Sequence, residues 1–259
     1  SINALAIRLG SAGASGLIDF FGGLQDLATG QVRILHTLSF VEDPTRLLRA
    51  VRFAHRYGFR LEPETEACAR AAIAEGFLGR VSRERLRNEL LLLLQESGCG
   101  GALQMLADLG GLEEILPGLS LTPELLALVD AADALPEAEP EICARSKLWL
   151  VKLLALLHRL PLNQGAGLVK RLRLKRAESQ CCLQVLAGWR IAHDLVMAPR
   201  PDPAAIVGRL SGWPPEGLLL LHLLGGGDRV STFWREWRHV RLDITGADVQ
   251  ALGVPPGPR

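Results

Sequence analysis

The segment from Asp43 to Tyr57 carries four arginines at helical spacing. Projected at about 100° per residue, they fall within an arc of about 120°, next to a face of leucine, alanine and valine. Four positive charges on one face repel one another unless something anionic meets them. An anionic ligand is therefore one interpretation of the stripe, and a solvated surface is the other. The arginines are Arg46, Arg49, Arg52 and Arg56.

The start of this segment is marked by Asp43 and Pro44. An aspartate before a helix accepts hydrogen bonds from free backbone N–H groups, and a proline at the first helical position needs no such bond. The sequence therefore predicts that Asp43 is the N-cap, that Pro44 opens the helix and that Gly58 ends it after Tyr57. On spacing alone, capping explains Asp43 without any further role.

A second charged helix is expected over Val81–Glu96, with Ser82 near its start. Arg85 and Glu89 are four residues apart in it, a spacing at which opposite charges pair along one helix face. The sequence therefore predicts an ion pair within this helix.

The remaining chain favours helices separated by proline and glycine. Leu135–Pro140 has the composition of an exposed linker, and the three glycines Gly225–Gly227 that of a flexible joint. Trp234 and Trp237 fit core positions better than stacking platforms. Further helices are expected over Pro63–Glu75, Leu103–Ile115, Pro123–Leu135, Ser146–Leu160, Gly167–Arg173, Glu178–Val196, Ala204–Leu210 and Pro215–Leu224.

Only the N-terminal segment has β character, in Ile2–Leu9 and Gln31–Leu35 around a glycine-rich turn region. Two strands are marginally stable by themselves in water. We therefore expect this segment to be the edge of a domain whose remainder lies upstream, followed by an elongated, mainly α chain.

Charge is unevenly distributed along the chain. Between Asn88 and Ala144 there are eleven acidic residues and no lysine or arginine, whereas Arg145–Arg176 holds nine basic residues and no acid. A phosphate backbone requires positive charge more than exact geometry, so a cluster in the second segment is a candidate RNA-binding surface. A solvated helix face remains the alternative. The cluster is Lys170, Arg171, Arg173, Lys175 and Arg176.

Several classes of protein do not fit the composition. The five cysteines form no Cys-x-x-Cys pair and their number is odd, which argues against a zinc site or a disulfide framework. No apolar run reaches the ~18 residues of a membrane-spanning helix. The sequence therefore predicts a cytoplasmic protein without a membrane span.

The run from Arg33 to Phe59, which contains Ser-Phe-Val-Glu-Asp-Pro-Thr-Arg, resembles the neck-entry motif of class II nucleotidyltransferases. This family comprises CCA-adding enzymes, A-adding enzymes and bacterial poly(A) polymerases. Three more segments are similar to family motifs in the same order: Ser1–Ala6, Leu17–Leu27 and Gly246–Pro258. The residues of these motifs are most similar to those of the longer bacterial members, which carry CBS domains.

The resemblance implies a division of the chain into four parts. Residues 1–35 would be the C-terminal edge of the catalytic head, and residues 36–100 a helical neck with the nucleotide-selecting helix. Residues 101–210 would form a helical body and residues 211–259 a helical tail.

The resemblance also implies roles for individual residues. In this family protein side chains read the incoming base, and the residues that match the reading element are Glu42, Asp43 and Arg46. A carboxylate acceptor and a guanidinium donor can bind the Watson–Crick edge of a base. Arg49 and Arg52 match arginines that contact the bound nucleotide. Two further residues, Arg85 and Glu89, match a pair that braces the selecting helix without touching the substrate.

The implied substrates are tRNA with ATP and possibly CTP. Such phosphoryl transfer uses Mg²⁺ held by two carboxylates. In the family these carboxylates precede the region matched here, so we expect no catalytic or metal-binding residue in this chain and no activity from the chain alone.

Three functions remain open from the sequence. The first is addition of A, or of CCA, to the 3′ end of tRNA, and both forms use the same selecting pair. The second is a bacterial poly(A) polymerase of the same fold. The third is a helical RNA-binding module without catalysis. The oligomeric state also remains open.

Overall fold

The computed structural model describes residues 2–9, 16–240, 250, 251 and 253, and it confirms the mainly α-helical class. Most of the Gly246–Pro258 motif and the first residue of the Ser1–Ala6 motif lie outside the described residues. Among the residues that are described, no helix combines the length and apolarity needed to cross a membrane.

Two short strand pairs account for the β structure of the described chain. Strands β1 (Ala6–Ile7) and β2 (Leu17–Ile18) pair antiparallel near the N-terminus. Strand β3 (Gln31–Val32) instead pairs in parallel with β4 (Arg60–Leu61), which follows the arginine-rich helix. This second pairing places a segment that precedes the helix in the chain next to the segment that follows it.

The part of the described chain before Gln95 contains five α-helices, and their positions define the candidate site. A 3₁₀ turn at Leu78–Arg80 separates the fourth from the fifth. The helices are α1 (Gly23–Thr29), α2 (Ser39–Glu42), α3 (Thr45–Tyr57), α4 (Pro63–Ala74) and α5 (Arg83–Leu94).

The start of α3 differs slightly from the prediction. Pro44 is the N-cap and not the first helical residue, and Asp43 ends the short helix α2. The carboxylate of Asp43 nevertheless accepts a hydrogen bond from the backbone N–H of Thr45 at 3.1 Å. Asp43 therefore supplies the side-chain acceptor expected of it, one residue earlier than the standard position. The helix ends as predicted, because Gly58 adopts φ 64°, a left-handed conformation that favours glycine.

Helices also dominate the second half of the chain. The expected helix Leu103–Ile115 is divided in two at Gly110, whose φ is 89°. The helices are α6 (Gly100–Asp108), α7 (Leu112–Ile115), α8 (Pro123–Ala131), α9 (Leu135–Ala138), α10 (Pro140–Cys143), α11 (Leu148–Leu157), α12 (Leu162–Arg171), α13 (Arg176–Met197), α14 (Pro203–Leu210), α15 (Pro215–Leu221) and α16 (Gly227–Arg235). Short 3₁₀ turns cover Ala132–Ala134 and Trp237–His239, and His222–Gly226 forms a π-helical turn.

The segment Leu135–Pro140 is not the linker that the composition predicts, because it forms α9 and the start of α10. Leu135 and Glu139 are buried, whereas the other four residues are exposed as expected. The Glu139 carboxylate accepts hydrogen bonds from Ser231 and from His222, so long-range partners compensate a composition that is typical of a loop. Gly225–Gly227 is likewise a packed turn, because a Cβ on Gly226 would lie 2.6 Å from Val196.

Two groups of buried apolar side chains form the core. The larger one runs from Phe40 in α2 to Leu186 in α13 and includes Leu220 of α15, so residues on both sides of position 100 share one core. The smaller one joins Leu135 and the C-terminal half of α13 to α14, α15 and α16. Trp234 is buried in it, as expected of a core tryptophan, and Trp237 packs against it.

Candidate functional site

The carboxylate of Asp43 is held by residues from two elements. Its Oδ1 accepts hydrogen bonds from the Thr45 hydroxyl at 2.6 Å and from Arg85 Nη2 at 2.9 Å, in addition to the Thr45 backbone N–H. Its Oδ2 accepts from the same Arg85 nitrogen at 2.9 Å. The side chain of Asp43 remains 25% exposed. Because each carboxylate oxygen has two lone pairs, Oδ2 can accept one more donor.

These contacts keep Asp43 ionised. Partial burial by itself would raise the pKa of Asp43, but the hydrogen bonds from Thr45 and the charge of Arg85 outweigh that effect, so the pKa lies below its usual value. At neutral pH the group is therefore a pure hydrogen-bond acceptor with a fixed orientation.

Arg46, one turn further along the chain, is held less tightly. Its Nη1 lies 3.4 Å from the backbone oxygen of Ser39 and 3.4 Å from Glu42 Oε2. The Glu42 carboxylate also lies 3.5 Å from His36 Nε2. Ion pairs of this length between exposed side chains contribute little to stability, so Arg46 can exchange them for a ligand.

A cleft of about 360 Å³ lies beside α3. Side chains of the helix form one wall, and the segment from Val32 to His36 and Asn3 contribute the other side. The volume is in the range of small-molecule sites. The two aromatic residues of this wall were not predicted from the sequence, although the spacing of i, i+3, i+7 and i+11 places them on the arginine face. The residues of α3 in the wall are Arg46, Arg49, Ala50, Phe53 and Tyr57, and Asp43 is not part of the lining.

Arg49 is exposed in the cleft wall, whereas Arg52 is not part of the cleft lining. The side chain of Arg52 is 10% exposed, and its guanidinium lies 3.5 Å from Glu96 and 3.9 Å from Glu89. It also lies over the Phe53 ring at 4.7 Å from the centroid. In this conformation Arg52 therefore supports the cleft wall from behind and is not placed to touch a ligand in it.

The predicted ion pair between Arg85 and Glu89 is wrong. Arg85 reaches across to Asp43, and Glu89 faces Arg52 of α3 instead. Burial raises the pKa of Glu89, against the attraction of Arg52 and Arg49, and its buried Oε2 has no hydrogen-bond partner. Both residues thus link α5 to the region of α3, but through separate contacts.

The five residues of the basic cluster around α12 fall into two groups. Arg171 donates a hydrogen bond to the backbone oxygen of Glu114 at 2.8 Å, and Arg173 pairs with Glu84 at 2.5 Å, so both hold other elements. Lys170, Lys175 and Arg176 are exposed at the turn between α12 and α13. This turn therefore offers three positive charges to solvent in addition to Arg173, which is exposed but paired with Glu84.

The described residues contain no group of three or more histidine, cysteine, aspartate or glutamate side chains arranged to hold a metal ion.

Comparison with known proteins identifies relatives of the whole described architecture. Residues 58–122 match a family model described as the "probable RNA and SrmB-binding site of polymerase A". The chain is 35% identical over its whole length to an A-adding tRNA nucleotidyltransferase of Geobacter sulfurreducens, and it spans 31% of that protein. It is also 33% identical to a CC-adding tRNA nucleotidyltransferase of Deinococcus radiodurans, covering 99% of this chain and 55% of the relative.

The same family appears among solved structures. The CCA-adding enzyme of Thermotoga maritima, solved in complex with tRNA, matches with a TM-score of 0.78 and 27% identity, over 99% of this chain and 63% of the solved one. The chain thus spans about a third to two thirds of these proteins. It belongs to the family of A-adding and CCA-adding tRNA nucleotidyltransferases, as the C-terminal portion of its members.

Proposed function

We propose that the protein adds A, or CCA, to the 3′ end of tRNA and that this chain supplies the surfaces that select the nucleotide and hold the tRNA. The observation that carries the proposal is the pairing of a fixed acceptor, Asp43, with an exchangeable donor, Arg46, at the N-terminal end of α3 beside the cleft.

This pair matches adenine and cytosine. Both bases present an amino group, which donates, next to a ring nitrogen, which accepts. Guanine and uracil present a carbonyl oxygen next to a ring N–H, which is the reverse pattern. The free acceptor position on Asp43 Oδ2 suits the amino group, and the Arg46 guanidinium suits the ring nitrogen. Two side chains can thereby favour adenine and cytosine over guanine and uracil through the Watson–Crick edge, without a nucleic-acid template.

The cleft wall supplies further contacts. The ring centroids of Phe53 and Tyr57 lie 6.2 Å apart and the rings are nearly parallel. Tyr57 is exposed at the cleft. Aromatic rings of this kind stack on bases irrespective of their identity. Arg49 in the same wall provides charge for a phosphate group. The cleft wall thus offers contacts that any nucleoside triphosphate can use. Of the selecting pair, Arg46 lines the cleft, whereas Asp43 lies next to Arg46 outside the lining.

The tRNA would be held in part by the exposed charges of Lys170, Lys175 and Arg176. Arg171 and Arg173 would act indirectly, by fixing the turn that presents those charges. Such contacts give affinity and little sequence selectivity, because every phosphate is alike.

Transfer itself would require Mg²⁺, which in such reactions activates the attacking hydroxyl and stabilises the leaving pyrophosphate. The described residues do not fit that ion, since they hold no cluster of ligating side chains. The residues named above therefore bind and orient the nucleotide, and we derive no metal-dependent step from them.

The test is an incorporation assay with the full-length protein. Labelled ATP, CTP, GTP and UTP would be offered with tRNA lacking its CCA end, with tRNA ending in CC and with an unrelated RNA. The proposal predicts incorporation of A, or of C and A, into tRNA only. Long A tails on the unrelated RNA would instead indicate a poly(A) polymerase, and absence of incorporation a binding module.

A further inference from the structure

The turn between α5 and α6 contacts α3 on one side and buried residues of later helices on the other. The turn runs from Gln95 to Cys99, and Gly98 in it has φ 59°. It receives contacts from both sides, and those from the later helices centre on Lys152. This lysine lies in the fully buried part of α11 and is 1% exposed.

The ammonium group of Lys152 contacts two polar partners. Its Nζ lies 2.6 Å from Asp133 Oδ1 and 2.8 Å from the backbone oxygen of Glu96. Asp133 neutralises the buried charge, as such a charge requires. Glu96, the second partner, belongs to the turn.

Two carboxylates from the segment around Ala132–Ala134 hold the rest of the turn. Asp133 Oδ2 accepts from the backbone N–H of Gly98 at 2.7 Å, and Asp130 Oδ1 accepts from that of Gly100 at 2.7 Å. A Cβ on Gly100 would lie 2.6 Å from Asp130, so the backbone approaches that carboxylate as closely as only glycine permits.

On its other side the turn holds the C-terminal half of α3. The Glu96 carboxylate binds Arg56 through two hydrogen bonds of 2.5 and 2.9 Å and lies 3.5 Å from Arg52. The backbone oxygen of Ser97 is bonded to His55 Nε2 at 2.8 Å. Three residues of α3 are therefore fixed to a turn whose own position depends on Lys152.

We propose that Lys152 is a positioning residue for nucleotide selection. Lys152 holds the backbone of Glu96, and the Glu96 carboxylate holds Arg52 and Arg56. These contacts set the rotation of α3 about its axis. That rotation sets where Arg46 and Arg49 stand in the cleft. The inference rests on the proposed function, because it assigns Lys152 to the selecting surface. An apolar residue of similar length would fill the same space, but it could not hold the Glu96 carbonyl.

The experiment uses the full-length protein with Lys152→Met, and with Lys147→Met as the matched control. Lys147 precedes the same helix, but its side chain is 50% exposed and pairs with Glu178, away from the turn. We expect Lys152→Met to lower the preference for the correct nucleotide over GTP and UTP by about tenfold, the lower end of the cost of removing a group that orients a binding residue. Lys147→Met should leave this preference unchanged.

A double-mutant cycle separates positioning from a general loss of stability. If Lys152 acts through Glu96, Lys152→Met should have a smaller effect on nucleotide preference in a Glu96→Gln background than in the parent protein. Independent, additive effects of the two substitutions would overturn the proposal. The variant Lys152→Met/Asp133→Asn removes both charges of the pair but keeps an acceptor for the Gly98 N–H. It serves if the single variant does not fold, with the same expected loss of preference.

Hydrogen exchange of the α3 amides keeps the inference testable apart from activity. We expect faster exchange in residues 52–57 of Lys152→Met than in the parent protein and in Lys147→Met. Unchanged exchange in α3 would overturn the positioning role. A parent protein that incorporates no nucleotide would overturn the proposed function, while the exchange measurement would still decide whether Lys152 fixes α3.

Discussion

Two arginine-rich regions of this molecule use the same side chain in different ways. On α3, Arg52 and Arg56 are held by acids of another helix and its end, and these contacts fix the helix that carries Arg46 and Arg49. Around the turn after α12, Arg171 binds the backbone oxygen of Glu114 and Arg173 pairs with the Glu84 carboxylate. These contacts hold the turn at which Lys170, Lys175 and Arg176 are exposed. In both regions some arginines position the charges that remain available for a ligand.

The regions differ in how precisely those charges are placed. Beside Asp43 the available groups include a carboxylate with one free acceptor position and a guanidinium one helical turn away. The α12 turn offers only positive charges on long side chains. Direction matters for reading a base, whereas charge suffices for binding a phosphate backbone. Substitutions in the first region should therefore alter base choice, and those in the second should alter affinity for RNA.

The largest effect is expected from Asp43→Ala and Arg46→Ala in the full-length protein. Each removes one partner of the incoming base, and sites that hydrogen-bond a substrate lose discrimination by about 100-fold or more when a partner is removed. The ratio of kcat/KM for the correct nucleotide to that for GTP should fall accordingly. Unchanged preference in both variants would refute the selecting role of the pair.

Arg85→Met should have the next largest effect, and Arg173→Met is its matched control. Both arginines pair with a carboxylate of a different element, but only Arg85 holds Asp43. We expect Arg85→Met to lower kcat/KM for the nucleotide by about 10- to 100-fold, as removal of a group that orients a binding residue does. Arg173→Met should leave nucleotide kinetics unchanged. Equal effects of the two substitutions would contradict the distinction between the regions.

Neutralising the exposed charges of the α12 turn should weaken tRNA binding without changing base choice. For a variant with Lys170, Lys175 and Arg176 replaced by glutamine, the slope of log K against log salt should become less steep by about 2 to 3, close to one for each phosphate that is no longer neutralised. Binding titrations at several salt concentrations measure this slope. An unchanged slope would mean that these residues are solvated, the alternative left open by the sequence.

The smallest effect concerns the two acids that face Arg52. The hydrogen bonds of Arg56 lower the pKa of Glu96, so its stabilising effect is present above the ordinary pKa of 4.5 and is lost as the pH falls through the lowered value. Burial raises the pKa of Glu89, so the folded state favours its protonated form, and that contribution is lost as the pH rises through the raised value.

At pH 7, Glu96→Gln should therefore lower the free energy of unfolding by about 1 to 3 kcal/mol, as expected for hydrogen bonds to a charged group. Glu89→Gln should lower it less, because the buried Oε2 of Glu89 has no hydrogen-bond partner and burial disfavours the charged form. Denaturant unfolding of both variants checks the difference. A larger decrease for Glu89→Gln would show that the Arg52–Glu89 contact is the stronger one.

Local sequence signals were sufficient for the selecting helix but not for its supports. Asp43, Gly58 and the arginine spacing predicted α3 to within two residues, because caps and periodicity are local properties. The helical spacing predicts an ion pair of Arg85 with Glu89, four residues away, whereas in the structure Arg85 binds Asp43, 42 residues away. The acids that meet Arg52 and Arg56 lie on α5 and the turn after it, beyond the reach of any pattern within α3.

Local sequence signals also did not predict which polar residues are buried. Leu135–Pro140 contains proline and glutamate, which are typical of loops, yet Glu139 is buried against Ser231 and His222 from the far end of the chain. Lys152 lies in a leucine-rich helix, and its partners are contributed by two other segments. Such networks are specified only when the segments meet in the fold.

The most direct test of base reading removes the partner from the nucleotide. The full-length protein and its Asp43→Ala variant would each be assayed with the nucleotide that the protein incorporates and with the analogue that lacks only the exocyclic amino group. If Asp43 accepts a hydrogen bond from that amino group, the parent protein should prefer the natural nucleotide by about tenfold or more, and the variant should not distinguish the two. An equal preference in both proteins would contradict the base-reading role of Asp43.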